Sequence, residues 1–411
     1  MKIKQLPLSV LTFLVLINTV LAQEKKVVFI IVDGIAFNML QKANTPNLDN
    51  ISNQGSFTEA YVGGLEGTYS ETPTISAVGY NSLLTGTWVN KHNVYGNGIK
   101  NPNYNYPTIF RLFENQFPDK QTAIFSTWLD NRTKLIGDSL PQTNYIKLDY
   151  AYDGFELDTI AYPHDDARKY IKDIDKKVAH EAARYIKEKG PDLSWVYLEF
   201  SDDMGHKYGD SPQLYNAIEF EDKLIGSIWN SIKEREASHD EEWMLLVTTD
   251  HGRTAKDGKH HGGQTDRERS TWIVTNIKNT NQYFNNETPG IVDILPTIID
   301  FLDINVDKDI QYEIDGVSLI NPVNAINLKA NIHDGKLEVS WKNINQNNSE
   351  GKLYIAETNN FNTGGKDQYR LLGTVDLSKE HYSKKLGEND SRFYKIVLET
   401  NNNSINTWII K

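Results

Sequence analysis

The sequence predicts an α/β fold, in which helices cover both faces of a mainly parallel sheet, followed by a small β-sandwich. Residues 26–32 (KVVFIIV), 195–200 (WVYLEF) and 243–248 (WMLLVT) are apolar runs of the kind found in strands buried on both faces. Helical patterns separate these runs, and such alternation is typical of parallel sheets. Beyond about residue 321 the pattern changes to short alternating runs between Asn-, Gly- and Asp-rich turns, as in antiparallel sheets.

The predicted elements can be placed along the chain in order. Shorter strand patterns occur at residues 122–125 and 271–274. Helices are predicted at residues 45–54, 76–85, 107–113, 173–189, 212–232 and 289–302. Residues from about 131 to 163 are polar and aromatic without a clear period, and we interpret them as an insertion over the functional site.

The N-terminal residues 1–22 have the pattern of a secretory signal peptide. Lys2 and Lys4 precede an apolar run at residues 6–20, and small residues follow at a plausible cleavage site. We therefore expect an exported protein, periplasmic or extracellular, without a membrane span. The rest of the chain is predicted to form a main domain, residues 23–320, and a sandwich, residues 321–411.

Composition excludes two classes of function. The chain has no cysteine, so neither disulfides nor a thiol nucleophile can be present. Its net charge is −12, which argues against binding to a nucleic-acid duplex, because that requires a basic surface.

A short predicted helix begins at Ser76 and ends at Gly86. Ser76 falls in its first turn, where free N–H groups and the helix dipole favour a phosphate or a developing oxyanion. A serine hydroxyl is a weak nucleophile unless a base or a metal activates it. The alternative is that Ser76 only caps the helix, as serine often does.

Acidic residues and histidines follow three of the predicted strands. Asp33 follows the first strand, Asp202 and His206 follow another, and the Asp250-His251 pair follows a third. His261 lies ten residues after His251. The carboxyl ends of parallel strands share one edge of a sheet, so we expect these side chains to converge. Carboxylates mixed with imidazoles favour zinc over magnesium or calcium, and with Ser76 they suffice for two ions.

The order of these motifs carries a family resemblance. An Asp-Gly after the first strand, a helix ending in L-x-T-G, then D-x-x-G-H, DHG and a late His-Gly resemble the alkaline phosphatase superfamily. In that superfamily the nucleophile precedes the Thr of the Thr-Gly pair by nine residues, and Ser76 is at this offset from Thr85. The chain looks most like the nucleotide pyrophosphatase/phosphodiesterase branch, which has an Asn twenty-one residues after the nucleophile, as Asn97 is here.

The resemblance implies a mechanism with two divalent metal ions, expected to be zinc. Asp202, His206 and His261 would bind one ion, whereas Asp33, Asp250, His251 and Ser76 would bind the other. Ser76 would attack phosphorus and form a phosphoserine, and Asn97 would donate a hydrogen bond to a phosphoryl oxygen. The implied substrate is a small phosphodiester or a nucleotide.

Several alternatives remain open at the level of sequence. A phosphomonoesterase or phosphonate hydrolase could use the same site, with Lys91 or Arg253 binding the additional phosphate charge. A sulfatase is disfavoured because residues 76–80 (SAVGY) lack the Pro and Arg of the C-x-P-x-R motif. The third alternative is a non-catalytic binding protein. The C-terminal L-x-V-x-W and Y-K-I-V patterns resemble a fibronectin type III module, for which a glycan or a protein is the expected partner.

Overall fold

The computed structural model describes residues 23–345, 349–387 and 391–411, so the predicted signal peptide lies outside the described residues. The main sheet contains seven strands: β1 (Glu24–Val32), β2 (Ser56–Tyr61), β3 (Thr122–Ser126), β4 (Tyr150–Tyr152), β5 (Leu193–Leu198), β6 (Glu241–Thr248) and β7 (Ser270–Thr275). Their order across the sheet is β2-β7-β6-β1-β5-β3-β4. β1 pairs in parallel with β5 and β6, and β3 and β4 continue the parallel part. At the other edge, β7 pairs antiparallel with β6, and β2 pairs antiparallel with β7. The predicted α/β class is therefore confirmed.

Helices cover both faces of this sheet. The described helices are α1 (Phe37–Leu40), α2 (Pro46–Gln54), α3 (Ser76–Thr85), α4 (Val89–His92), α5 (Ile109–Gln116), α6 (Lys169–Lys189), α7 (Phe200–Tyr208), α8 (Pro212–Ser238), α9 (Asp266–Arg269), α10 (Gln282–Asn286), α11 (Ile294–Phe301) and α12 (Lys308–Gln311). Short helical turns occupy Asn131–Ile136, Pro141–Thr143, Phe155–Leu157, Ile291–Asp293, Phe361–Thr363 and Leu377–Lys379. Among the described residues, no helix is long and apolar enough to span a membrane.

Strand β1 lies at the centre of two apolar cores. Alternate side chains of a strand point to opposite faces of the sheet. Val27, Phe29 and Ile31 accordingly pack with α3, α5 and α11 on one face. Val28, Ile30 and Val32 pack with α2, α6 and α8 on the other. Burial on both faces explains why the sequence of β1 is continuously apolar.

Several predicted boundaries differ from the structure, and the first of these bears on the functional site. The strand predicted to reach residue 200 ends at Leu198, and Asp202 and His206 lie on helix α7. The reason is that the Asp175 carboxylate accepts hydrogen bonds from the N–H groups of Glu199 and Phe200, which starts the helix from a distant part of the chain. Helix α6 begins at residue 169 instead of 173. The predicted insertion also contributes β4, an edge strand that pairs with β3.

The C-terminal residues form two antiparallel sheets. Their strands are β8 (Ala325–His333), β9 (Lys336–Asn343), β10 (Glu350–Ala356), β11 (Arg370–Asp376), β12 (His381–Lys385), β13 (Phe393–Thr400) and β14 (Ser404–Ile410). One sheet has the order β12-β9-β8 and the other β11-β10-β13-β14. Their apolar side chains join the same core as α3 and α11. The fibronectin type III resemblance and the boundary at residue 321 stay predictions.

Buried ion pairs connect these C-terminal sheets to the main domain. The ammonium group of Lys395, on β13, contacts the carboxylates of Glu313 and Asp367, and all three side chains are at most 2% exposed. Lys91, on α4, is also fully buried and donates to Asp315 and to Asn406 of β14. Lys395 and Glu313 therefore form a buried ion pair across the predicted boundary, and Lys91 donates a hydrogen bond across it to Asn406.

We expect Lys395→Met to lower the free energy of unfolding by about 3–5 kcal/mol, because two buried carboxylates would lose their counter-charge. Denaturant unfolding followed by circular dichroism would measure the change. The matched control is Lys342→Met, which removes a half-exposed pair with Glu287 between the same two parts of the chain. That control should cost no more than about 1 kcal/mol. Equal losses in the two variants would contradict the prediction.

Candidate metal centre

The predicted site residues come together at the carboxyl ends of β1, β5 and β6. Asp33 follows β1, Asp250 and His251 follow β6, and Asp202 lies in the first turn of α7 after β5. Two groups of potential metal ligands result, and within each group the ligand atoms lie within 4.8 Å of one another. We call Asp33, Asp250 and His251 the inner cluster, and Asp202, His206 and His261 the outer cluster.

The inner cluster is buried and lies beside Ser76. The Nε2 atom of His251 is 3.3 Å from Oδ1 of Asp33 and 3.3 Å from Oδ2 of Asp250. It is also 3.3 Å from the Oγ of Ser76, the first residue of α3. Ligand atoms around a tetrahedral zinc ion, with bonds of roughly 2.0–2.1 Å, are separated by about 3.3 Å. The distances from Nε2 of His251 to the other three ligand atoms thus match the spacing of ligands around one ion.

Two oxygen atoms of the inner cluster have no protein partner. Oδ1 of Asp33 and Oδ2 of Asp250 are buried, and neither has a hydrogen bond within the described parts of the chain. The second oxygen of each carboxylate is bound, in Asp33 by the hydroxyls of Tyr80 and Tyr197 and in Asp250 by the Gly34 N–H at 3.1 Å. Buried polar atoms normally have partners, so this pair of oxygens indicates a site for a cation.

The outer cluster is closer to solvent. Nε2 of His206 lies 3.2 Å from Oδ2 of Asp202 and 3.1 Å from Nε2 of His261. The His206 side chain is 43% exposed, whereas that of His251 is fully buried. Two imidazole nitrogens that face each other at this distance, next to a carboxylate, again have the spacing of ligands around one ion.

All three histidines are oriented in the same way. The Nδ1 atom of each ring lies 2.9 Å from a backbone carbonyl, which fixes the proton on Nδ1. The carbonyls belong to Lys259 for His206, Gly252 for His251 and Thr74 for His261. Each Nε2 is therefore left as a lone pair directed into its cluster, as in zinc-binding histidines.

The electrostatics of the inner cluster also indicate a cation. Burial, with the nearby charge of Asp202, raises the pKa of Asp33 to about 7. Burial and the neighbouring Asp33 raise the pKa of Asp250 well above its ordinary value. Burial and the adjacent His261 ring lower the pKa of His251, which keeps its imidazole neutral. A bound cation would restore the charge of both carboxylates, because opposite charge favours the ionised form.

Arg253 is part of the framework that holds the two clusters together. Its fully buried guanidinium donates from Nε to the Gly34 carbonyl at 2.8 Å and from Nη2 to the Asp202 carbonyl at 2.9 Å. It also forms a salt bridge with Oδ1 of Asp202. Burial alone would raise the pKa of Asp202, but Arg253 and His206 lower it below its ordinary value. Oδ2 of Asp202 is thereby left for the outer cluster.

This placement corrects two expectations from the sequence. Arg253 and Lys91 were candidates to bind the additional charge of a phosphate monoester. Arg253 instead binds backbone and Asp202, and Lys91 is buried against Asp315 and Asn406. Neither role could be recognised from sequence, because both depend on contacts with distant residues. The one local signal is Gly205, whose absent side chain makes room for Arg253.

We expect Gly205→Ala to destabilise the protein by about 1–3 kcal/mol, the usual cost of overpacking. A Cβ atom at this position would lie 2.1 Å from Cζ of Arg253. The sign of the change in stability is informative, since replacing Gly by Ala within an unconstrained helix stabilises the helix by about 1 kcal/mol. Gly96→Ala is the control because its Cβ would have no atom of the described residues within 4 Å. Thermal unfolding would compare the two, and a stabilised Gly205→Ala would exclude the proposed packing.

Thr74 has a positioning role beside Ser76. Its hydroxyl donates to the Gly263 carbonyl at 2.9 Å and accepts from the Gly262 N–H at 2.9 Å. Its own carbonyl accepts the hydrogen bond from His261. Both hydroxyl contacts are therefore used to hold the loop that carries His261. Ser76, by contrast, directs its hydroxyl to the inner cluster.

Asn97 lies at the start of α3. Its Oδ1 accepts a hydrogen bond of 3.0 Å from the N–H of Ala77, the second residue of the helix. This contact orients the side-chain amide and leaves its Nδ2 group as a donor next to the helix N-terminus. The spacing of twenty-one residues from Ser76 thus brings the amide to the same helix end.

Comparison with known proteins agrees with this geometry. The family model described as type I phosphodiesterase / nucleotide pyrophosphatase matches residues 27–315. The chain belongs to this family. The match covers β1 to the region after α12 and so includes both clusters.

Curated relatives share this part of the chain. Ectonucleotide pyrophosphatase/phosphodiesterase family member 7 from Homo sapiens is 24% identical over 251 residues, which is 57% of this chain and 49% of the relative. The venom phosphodiesterase CdcPDE of Crotalus durissus collilineatus is 25% identical over 195 residues, 44% of this chain and 21% of the relative. The chain thus spans about half the length of the first and less of the second.

Solved structures show the fold in other proteins. A 2-O GAG sulfatase is 12% identical, with a TM-score of 0.52 over 87% of this chain and 86% of that chain. A second structure, of Ps i-CgsB with a neocarrahexaose, is 14% identical, with a TM-score of 0.51 over 87% of this chain and 89% of that chain. At these identities the likeness concerns the fold alone.

Proposed function

We propose that the protein is a metal-dependent hydrolase of phosphate esters, acting as a phosphodiesterase or nucleotide pyrophosphatase. The observation that carries the proposal is the convergence of Ser76 with two ligand clusters at the start of α3. The family match supports the same reaction class. A serine hydroxyl beside a metal and a helix N-terminus has what displacement at phosphorus requires: a nucleophile, a counter-charge and N–H donors.

Two divalent ions, expected to be zinc, fit the residues present. Asp33, Asp250 and His251 would hold one ion together with Ser76, and the outer cluster would hold the other. The neutral imidazole of His251 and the unpartnered oxygens of Asp33 and Asp250 support this assignment. When bound, such ions lower the pKa of a coordinated hydroxyl or water and neutralise charge that develops on oxygen.

Ser76 is the nucleophile in this proposal. Its Oγ attacks phosphorus in line, forms a P–O bond and yields a phosphoserine while the bond to the leaving oxygen breaks. The Ser76 proton passes to solvent, and the leaving group takes a proton from solvent. Water then attacks the phosphoserine from the opposite side, which releases a phosphate monoester and restores the hydroxyl. Asn97 Nδ2 and the positive end of the α3 helix dipole stabilise the non-bridging oxygens.

A diester is the better substrate for this set of residues. A diester carries one negative charge at phosphorus, which an amide donor such as Asn97 can serve. A monoester carries a second charge and gains more from a dedicated cation, because charge-assisted hydrogen bonds are roughly twice as strong as neutral ones. The two cations considered for that role, Lys91 and Arg253, are buried in other contacts. A small diester or nucleotide is therefore the proposed substrate.

Export and partner binding complete the proposal. The signal-peptide pattern of residues 1–22 supports an exported enzyme, periplasmic or extracellular, and the curated relative is named an ectonucleotide enzyme. The C-terminal strands are proposed to be a fibronectin type III-like module that binds a glycan or a protein.

We expect Ser76→Ala to abolish turnover while both ions remain bound, because three ligands of each cluster are unchanged. Activity on an aryl phosphodiester and metal content by mass spectrometry would be measured on the same preparation. Thr74→Ser is the matched control, since it keeps the hydroxyl that holds the Gly262–Gly263 loop. Full activity of Ser76→Ala would exclude Ser76 as the nucleophile.

We also expect kcat/KM to be higher for an aryl phosphodiester or a nucleotide pyrophosphate than for the corresponding monoester. Asn97→Ala should lower kcat on the diester by about 10²–10³, the usual effect of removing one oxyanion donor. Asn93→Gly, in the same loop but bonded to the Asn101 carbonyl, serves as the control, because glycine accepts the positive φ of this position. Steady-state kinetics would show both effects, and a preference for the monoester would refute the assignment as a diesterase.

A further inference from the structure

Two buried tyrosines bind the same oxygen atom of Asp33. The hydroxyl of Tyr197 lies 2.7 Å from Oδ2, and the hydroxyl of Tyr80 makes a short hydrogen bond to it. The two hydroxyl oxygens are 2.9 Å apart. Tyr80 is fully buried and Tyr197 is 2% exposed, so water cannot replace either donor.

This arrangement leaves Asp33 with one oxygen for a metal. Oδ2 is occupied by two donors, whereas Oδ1 points towards His251 at 3.3 Å without a hydrogen bond from the described residues. A carboxylate whose second oxygen is bound in this way cannot rotate to coordinate through both oxygens. The tyrosines therefore determine which atom of Asp33 faces the inner cluster.

The same contact connects Asp33 to the helix of the nucleophile. Tyr80 lies four residues after Ser76 on α3, and residues at this spacing lie on the same face of a helix. Ser76 reaches the inner cluster at His251, and Tyr80 reaches it at Asp33. One turn of α3 is thus tied at Tyr80 to the residue after β1 and at Ser76 to a residue after β6. Tyr197, on β5, adds a third element to the contact.

We propose that Tyr80 and Tyr197 are positioning residues that hold Asp33 as a one-oxygen ligand of the inner ion. The inference rests on the proposed two-metal function and adds the residues that orient its inner site. Partners that orient a metal ligand typically contribute 10–100-fold to metal affinity or activity, and hydrogen bonding to a ligating carboxylate is a common form of such support. The tyrosines act on the inner cluster alone, because neither contacts the outer ligands.

The test is zinc binding to the full-length apoprotein, measured by competition with a chromophoric chelator. Tyr80→Phe should weaken one of the two zinc sites by about 10–100-fold and leave the other unchanged. In a His206→Ala background, in which the outer cluster lacks a ligand, the remaining site should show the same weakening. Tyr197→Phe should affect the same site, which keeps the test valid if one variant does not fold.

Tyr106→Phe is the matched control. Tyr106 is 2% exposed but packs against Phe361 in the C-terminal part, so its substitution should change neither zinc site. Unchanged inner affinity in Tyr80→Phe and Tyr197→Phe, or equal weakening of both sites, would overturn the inference while leaving the proposed function in place. Absence of zinc binding by the unmodified protein would instead overturn the proposed function.

Discussion

The structure depends on the burial of three aspartates at one edge of a sheet. Asp33 and Asp250 follow β1 and β6, and Asp202 lies in the first turn of α7 after β5; these three strands are neighbours in the sheet. Burial removes the water that would otherwise separate their charges, and the pKa values of Asp33 and Asp250 rise in response. A fold that brings such groups together needs positive charge at the same place. That need explains both the buried arginine and the proposed metal ions.

Arg253 is the permanent part of this positive charge. Arg253 itself follows β6. It neutralises Asp202, which follows β5, and donates a hydrogen bond to the carbonyl of Gly34, which follows β1. The remaining acidic oxygens, on Asp33 and Asp250, have no such partner among the described residues. The protein therefore neutralises the carboxylate of Asp202 with Arg253, whereas one oxygen of Asp33 and one of Asp250 are left for a bound cation. Neighbouring residues thus have separate roles, a framework role for Arg253 and the proposed metal-binding role for Asp33 and Asp250.

The sequence predicted the sheet and the convergence of the candidate ligands because both depend on local patterns. The apolar run of β1 and the acid that follows it can be seen without knowledge of the rest of the chain. The start of α7 could not be predicted, since its first N–H groups bind Asp175, a residue from another helix. The role of Arg253 was missed for the same reason, as an arginine in sequence gives no sign of burial. In both cases the structure depends on contacts between segments that are distant in the sequence, and a local pattern does not contain this information.

The buried lysines at the domain interface have an evolutionary consequence. Lys91 belongs to the main domain and contacts β14, whereas Lys395 belongs to the C-terminal sheets and contacts Glu313. Lys91 and Lys395 would each keep a carboxylate on their own side, Asp315 and Asp367, but replacement of the C-terminal part would leave the buried Glu313 without its counter-charge. The two parts are therefore expected to be inherited together and to change in concert. In this chain the C-terminal sheets behave as a fixed component of the protein and not as an exchangeable appendage.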